Sequence, residues 1–537
     1  MKKFLVAFFC LALLPSAFSQ ANLAKIGLLK RFVSEENWEG AIMVGTQLLK
    51  MNNQDYEALY YTSIAYISAD RPNPEEALTL LTRMESDPKL SKYKDYKFWV
   101  GRAQLGSMQP EKALESFESF KAELNGKKPN PILDFNLYYS QAKNAQKYMA
   151  TPLPVVYKNL GEAINTEVDE AMPFISAEGD VLYFSARRSG NVGGKVDPYD
   201  GKPYQDIWFS VWDTINNTWG EAENLVNVNS DEHESIMSIS PDGSVLFVYK
   251  NVVGKTASGD IWYSRKKGDN EWSRPTEYEG PFNTSYYESS ASLANGGKRL
   301  FFISERPDGK SLGQGDIWVC DRVGRREWGK PVNAGPKINT PYDENSVYVA
   351  VDGKTVFFTS NSDKSMGGYD IFRTTYVNGV WTDPVNLGYP INTCGDERSF
   401  CLSADGKKAY ISARRSDGYG ELDIYEIDLS NIDIFGTSEG NTKTEGLSIF
   451  KGFVKDENGN AIENATLTIY DEAGAAKITT IETDETGAFF VTLEGNFKYS
   501  VTIQADGKKT STQKITLGKK EGSQPFTLSK EFKLIAE

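Results

Sequence analysis

Two hydrophobic periods divide the chain. From residue 22 to about 149, apolar positions recur at helical spacing, as at Ala113, Leu114, Phe117 and Phe120, and predict a run of helices. From about 154 to 430 the pattern becomes short strands between turns. Asp-Ile-aromatic triplets stand at Asp206-Ile207-Trp208, Asp260-Ile261-Trp262, Asp316-Ile317-Trp318, Asp370-Ile371-Phe372 and Asp423-Ile424-Tyr425, in steps of 54, 56, 54 and 53 residues. Hairpin turns recur at Glu178-Gly179, Asp242-Gly243, Asn295-Gly296, Asp352-Gly353 and Asp405-Gly406. A further strand opens at Trp219, Trp272, Trp328 and Trp381. Each of the five units thus predicts about four strands. After a polar stretch, residues 448–537 alternate again around Gly452-Phe453-Val454, Ala465–Ile469, Gly487–Val491 and Tyr499–Ile503, which predicts a small β-sandwich.

The helical part carries a spacing of its own. Ala41, Ala77 and Ala113 lie 36 residues apart, each near a predicted helix start, and small residues there let paired helices approach closely. That logic resembles tetratricopeptide repeats, with Pro131–Tyr148 as a capping helix. Four-stranded units that cannot bury both faces alone must stack, and the expected result is a β-propeller of five blades, with six as the alternative. Asn159-Leu160-Gly161 before Ile164-Asn165-Thr166 matches Asn386-Leu387-Gly388 before Ile391-Asn392-Thr393 at the same offset. Residues 154–161 therefore read as the missing outer strand of the last unit. The expected fold class is a tetratricopeptide-like helical repeat, a propeller and a small sandwich. Its boundaries are a signal peptide over 1–19, helical repeats over 20–149, the propeller over 150–430, a linker over 431–447 and the sandwich over 448–537.

Composition narrows the function classes. With 59 Lys and Arg against 73 Asp and Glu the net charge is −14, which disfavours nucleic acid and anionic membrane as partners. A single His makes His-rich metal sites and His-dependent nucleophilic schemes hard to build. Lys2, Lys3, the apolar run Phe4–Leu14 and Ala17-Phe18-Ser19 read as a signal peptide cleaved after Ser19. Cys10 lies inside the apolar run, so no lipid anchor is expected, and no later run reads as a membrane span. Of the remaining cysteines, Cys394 and Cys401 pair only if their strands meet; small buried strand residues are the simpler reading.

The repeated Asp of the triplets and the Glu series Glu170, Glu232, Glu288, Glu344 and Glu397 invite a ligand set, yet repetition in every unit fits structural hydrogen bonding better. His233 lies in Asp231-Glu232-His233-Glu234 without the spacing of a calcium loop. Hence no catalytic residue, metal ligand or cofactor is expected. Arg187, Arg188, Arg414 and Arg415 end the second strands of the first and fifth units, and form a candidate cationic patch. The insertion from Asn191 to Tyr204 breaks the repeat and is the leading contact candidate, with Asn191, Gly194, Asp197, Tyr199 and Tyr204 as its side chains of interest.

The strand units resemble the WD40-like repeats of the periplasmic Tol propeller, through Ser240-Pro241-Asp242-Gly243 and the Asp-Ile-aromatic strand. The last region resembles the carboxypeptidase regulatory-like domain, through Gly452-x-Val454, Asp484-x-x-Gly487-x-Phe489 and Tyr499-x-Val501. The order of the three parts is similar to a periplasmic, outer-membrane-associated family of Bacteroidetes with a member in the type IX secretion system. Those relatives continue into an outer-membrane-protein-A-like domain, and the sequence stops at Glu537, so a peptidoglycan module is not expected. The resemblance implies a non-enzymatic periplasmic scaffold with protein partners at the outer membrane. The alternative is a glycan-binding or glycan-active propeller.

Overall fold

The computed structural model describes residues 22–197, 201–251, 259–268, 270–294, 297–324, 327–377, 379–415, 417–420, 422–436, 447–518 and 525–537. The expected signal peptide with its cleavage after Ser19, Tyr199, and all but the two ends of the 431–447 linker lie outside the described residues. The chain forms two compact units, and the second holds everything from Pro152 onward except the short segments Asp363–Gly367 and Thr393–Gly395.

The first unit carries seven α-helices among the described residues: 22–34, Trp38–Met51, Tyr56–Ser68, Pro74–Met84, Tyr96–Gly106, Pro110–Glu123 and Phe135–Met149. Side-chain oxygens of Asn37, Asp55 and Asn73 accept the first free backbone N–H groups of three of them. Pro74 and Pro110 occupy first-turn positions, where a missing N–H costs nothing. The evenly spaced Ala41, Ala77 and Ala113 are all fully buried. Gly45 explains how close these helices come: a β-carbon there would lie 1.9 Å from the Thr62 hydroxyl oxygen of the next helix.

The regular structure of the second unit, among the described residues, is strands apart from a 3-10 turn at Val192–Gly194. Its first sheet orders Glu170–Ile175, Val181–Ala186, Asp206–Asp213 and Thr218–Trp219, with Glu223–Asn224 also on the third strand. The second to fourth sheets repeat that order from His233–Ile239, Ser290–Ala294 and Glu344–Val349. The fifth contains Phe400–Leu402, Lys408–Ala413 and Asp423–Asp428, and its outer strand is Val156–Asn159, the earliest strand in the chain. Every pairing within these sheets is antiparallel. Neighbouring sheets share cores: Ile236 and Trp272 of the second pack with Tyr183 of the first, and so do Cys401 and Tyr410 of the fifth.

The structure corrects the fold class expected from sequence. What it shows is a mostly β chain of many small antiparallel sheets with helices confined to its beginning, and neither the tetratricopeptide-like repeat nor the propeller, five- or six-bladed, is retained as its description. The reason is physical. Equal spacing of three alanines reports where helix pairs touch, and a strand-turn period reports which residues are extended. Neither encodes the long-range arrangement of the resulting elements.

Residues from Leu447 onward make a three-stranded sheet, Ala488–Glu494, Leu447–Asp456 and Thr527–Leu534, the last two parallel, against a four-stranded antiparallel one. Within the second unit this part rests on hairpin turns of the five sheets. Ile449 and Phe490 pack on Ala177, Val351 and Ala404. Lys451 pairs with Glu178, Lys298 with Glu482, and Arg265 with Glu485 at 3.0 Å. Those side chains are 27–49% exposed, so each pair contributes under about 1 kcal/mol. The fully buried Ile449 dominates. Ile449→Ala should cost about 2–4 kcal/mol in chemical denaturation, whereas Lys451→Ala should change the midpoint little.

Candidate functional site

The polar residues that repeat along the sequence form a repeated internal frame. Asn229 accepts from the backbone N–H of Ile207 at 2.9 Å and donates to its carbonyl at 2.8 Å. Asn283 does the same to Ile261, Asn339 to Ile317, Asn392 to Ile371, and Asn165 to Ile424. Four of the five triplet Asp residues are met in turn: Asn224 donates to Asp206, Asn333 to Asp316, Asn386 to Asp370 and Asn159 to Asp423, at 2.6–2.8 Å. In the second sheet Glu277 takes the register position of that Asn, and burial, then the Glu277 charge, raises the Asp260 carboxyl to about 6.

The glutamates complete the frame. Glu170 accepts from the backbone N–H of Thr166 at 2.9 Å and from its hydroxyl at 2.7 Å; Glu288 and Glu344 repeat this with Thr284 and Thr340. In the second sheet the member is Glu234, capped by Ser230, rather than the expected Glu232. Glu234 lies within the strand His233–Ile239 and is fully buried, whereas Glu232 precedes that strand and lies 3.5 Å from Lys195. A cation joins several of these acids. Arg188 lies 2.9 Å from Glu170, Lys250 2.7 Å from Glu234 and Arg306 3.5 Å from Glu288. The two arginines also stand over Phe184 and Trp208, and over Phe302 and Trp318. In the fourth sheet the corresponding residue is Ser362, and burial pushes the Glu344 carboxyl up to about 8.

The sequence-selected residues separate into two groups. Arg188 is turned inward as described, and Arg415 stands 3.7 Å over the Tyr157 ring while donating to the Pro390 carbonyl at 3.3 Å. Arg187 holds the insertion: its guanidinium donates to the carbonyls of Pro203 at 2.8 Å and Lys202 at 3.4 Å, and lies 3.7 Å from Asp197. Arg414 is exposed. Asn191 is buried and donates to the Lys195 carbonyl at 3.0 Å, while Gly194 takes a left-handed φ of 63°. Tyr204 stacks on His233 with ring centroids 4.0 Å apart. His233 Nδ1 accepts from the Gln205 N–H at 3.2 Å, and Nε2 lies 3.6 Å from Asp197. Lys195 reaches Asp231 at 2.9 Å. The described part of the insertion is thus a braced loop. Cys394 and Cys401 are both buried and are not joined in a disulfide.

A second set of residues departs from the repeat and carries no motif. Positions just before the buried glutamates hold Asp169, His233, Tyr287, Asp343 and Asp396. Tyr287 makes an edge contact with Tyr249 at 5.8 Å. Burial raises its hydroxyl pKa, and so do the nearby charges of Glu305 and Asp343; the nearby Arg398 lowers it. Asp343 accepts from the Tyr369 hydroxyl, and from the Gly315 N–H at 2.7 Å. Arg398 pairs with Asp396 at 2.9 Å and stands 4.9 Å over the Tyr369 ring. Four sheets thus deliver unmatched polar and aromatic groups to one place. Burial, then Asp343, raises the Glu305 carboxyl, and burial raises Asp343 itself. Among the described residues no group of three or more His, Cys, Asp or Glu is placed to hold a metal ion.

Comparison with known proteins reaches only part of the chain. Residues 449–529 match the carboxypeptidase regulatory-like domain. No curated protein matches. Among solved structures, 3-chlorocatechol 1,2-dioxygenase from Rhodococcus opacus 1CP is 16% identical over 17% of this chain and 60% of its own, with a TM-score of 0.15. Catechol 1,2-dioxygenase from Acinetobacter sp. ADP1 is 14% identical over 19% of this chain and 55% of its own, also at 0.15. The chain therefore spans under two thirds of these structures, and likenesses this slight carry no argument about fold or chemistry. Among the described residues no helix is long and apolar enough to cross a membrane.

Proposed function

We propose that this protein is a non-catalytic interaction factor of the periplasm that associates with an outer-membrane complex, of the kind found in type IX secretion. One observation supports the reading above all. The acids that recur along the sequence are engaged in the same hydrogen bonds in sheet after sheet, where they hold strands rather than face a substrate. The braced part of the insertion among the described residues supports it too, since a loop segment held in place on a repeated scaffold binds a partner without first being ordered. The sequence resemblance supplies the compartment and the class of complex. Purified protein should show no turnover of peptide or glycoside substrates. Turnover abolished by substituting one carboxylate, with the fold intact, overturns the proposal.

A further inference from the structure

The residues that break the repeat at the start of the inner strands call for a ligand that the repeated frame does not. Tyr249, Tyr287, Glu305, Asp343, Tyr369 and Arg398 come from four sheets and meet around Tyr287. Sheet stability does not need this mixture, because the positions of Tyr249, Tyr287, Glu305, Tyr369 and Arg398 are filled differently in the other units, and only Asp343 shares its residue type with Asp169 and Asp396. Their chemistry restricts what fits. Arg398 already has Asp396 as counter-ion, whereas Glu305 and Asp343 add two further carboxyl groups, so the group is net acidic and repels an anionic ligand. It offers ring faces and edges beside acceptors and hydroxyls. A neutral polyhydroxylated molecule suits that combination: its C–H face lies on a tyrosine ring while its hydroxyls donate to carboxylates and accept from phenols. Glu305 is exposed beside this group, where an incoming hydroxyl can reach it.

We propose that Tyr249, Tyr287, Glu305, Asp343, Tyr369 and Arg398 form a binding site for a neutral oligosaccharide. The site is separate from the insertion and goes beyond the interaction role above. Isothermal titration of the full-length protein with chitotetraose and with maltotetraose tests it. At least one should bind, and Glu305→Gln and Arg398→Gln should each weaken that binding about tenfold or more with unchanged melting. Asp383→Asn, on a side chain 90% exposed and outside the group, should bind as wild type does. Failure of both sugars to bind the wild type overturns the site. So does binding that Glu305→Gln leaves unchanged. Cleavage of a bound sugar would leave the site standing and overturn the non-catalytic reading instead.

Discussion

A chain lacking residues 20–160 should lose cooperative unfolding of its sheets, whereas one lacking only residues 20–145 should keep it. Val156–Asn159 pairs with Asp423–Asp428 in register from Val156 opposite Asp428 to Asn159 opposite Tyr425. Removing it bares that strand's edge and takes away Asn159 from Asp423. The longer deletion also removes the stacking of Tyr157 beneath Arg415. Leu160, packed against the shared core, goes with it. A bared edge and an uncovered buried carboxyl together amount to several kcal/mol, a large part of the stability of an ordinary domain. Differential scanning calorimetry of the two truncations decides it. Equal transitions in both would show that this strand does not hold the fifth sheet.

The second large effect is a pH dependence located at Glu344. Its carboxyl rises from 4.5 to about 8 because burial penalises the charged form, and its hydrogen bonds from Thr340 and Ser360 offset only part of that. The folded state therefore holds a proton that the unfolded state releases above about pH 4.5. Stability contributed by the protonated acid is full below that value and is lost as pH rises toward 8. At about 1.4 kcal/mol per pH unit, the outer bound is about 5 kcal/mol. Glu344→Gln mimics the neutral acid. It should unfold near the wild-type denaturant concentration at pH 5 and clearly above it at pH 8.5. Glu170→Gln should not reproduce that gain, because it leaves the inward-turned Arg188 without its carboxylate. Urea titrations at the two pH values separate these outcomes.

Much of the local order was legible in the sequence. The Asp-Ile-aromatic triplets begin the third strand of each sheet, and the Asn series proves to be one set of backbone clamps. The match between Asn159 and Asn386 is structural as well, since each donates to the triplet Asp beside it. Glu234 was legible too, because in the other four units the Glu follows its Asn by five residues and five after Asn229 is Glu234, an offset that the expected Glu232 breaks. One long-range placement was legible, since residues 154–161 read as the outer strand of the last unit and Val156–Asn159 pairs with Asp423–Asp428. The arrangement of the sheets as a whole was not, for periodicity describes segments. Nor were Tyr287 and Arg398, which belong to no motif. Their meaning comes from convergence across sheets more than fifty residues apart in sequence, which only the fold supplies.

The interaction reading is tested most directly by capture from envelope fractions, using the full-length protein beside a variant whose residues 191–204 are replaced by a Gly-Ser bridge. The predicted result is recovery of a membrane-anchored partner with the wild type, reduced severalfold by the replacement while the calorimetric transition stays in place. Equal recovery by both proteins, or no membrane-anchored partner with either, would contradict it.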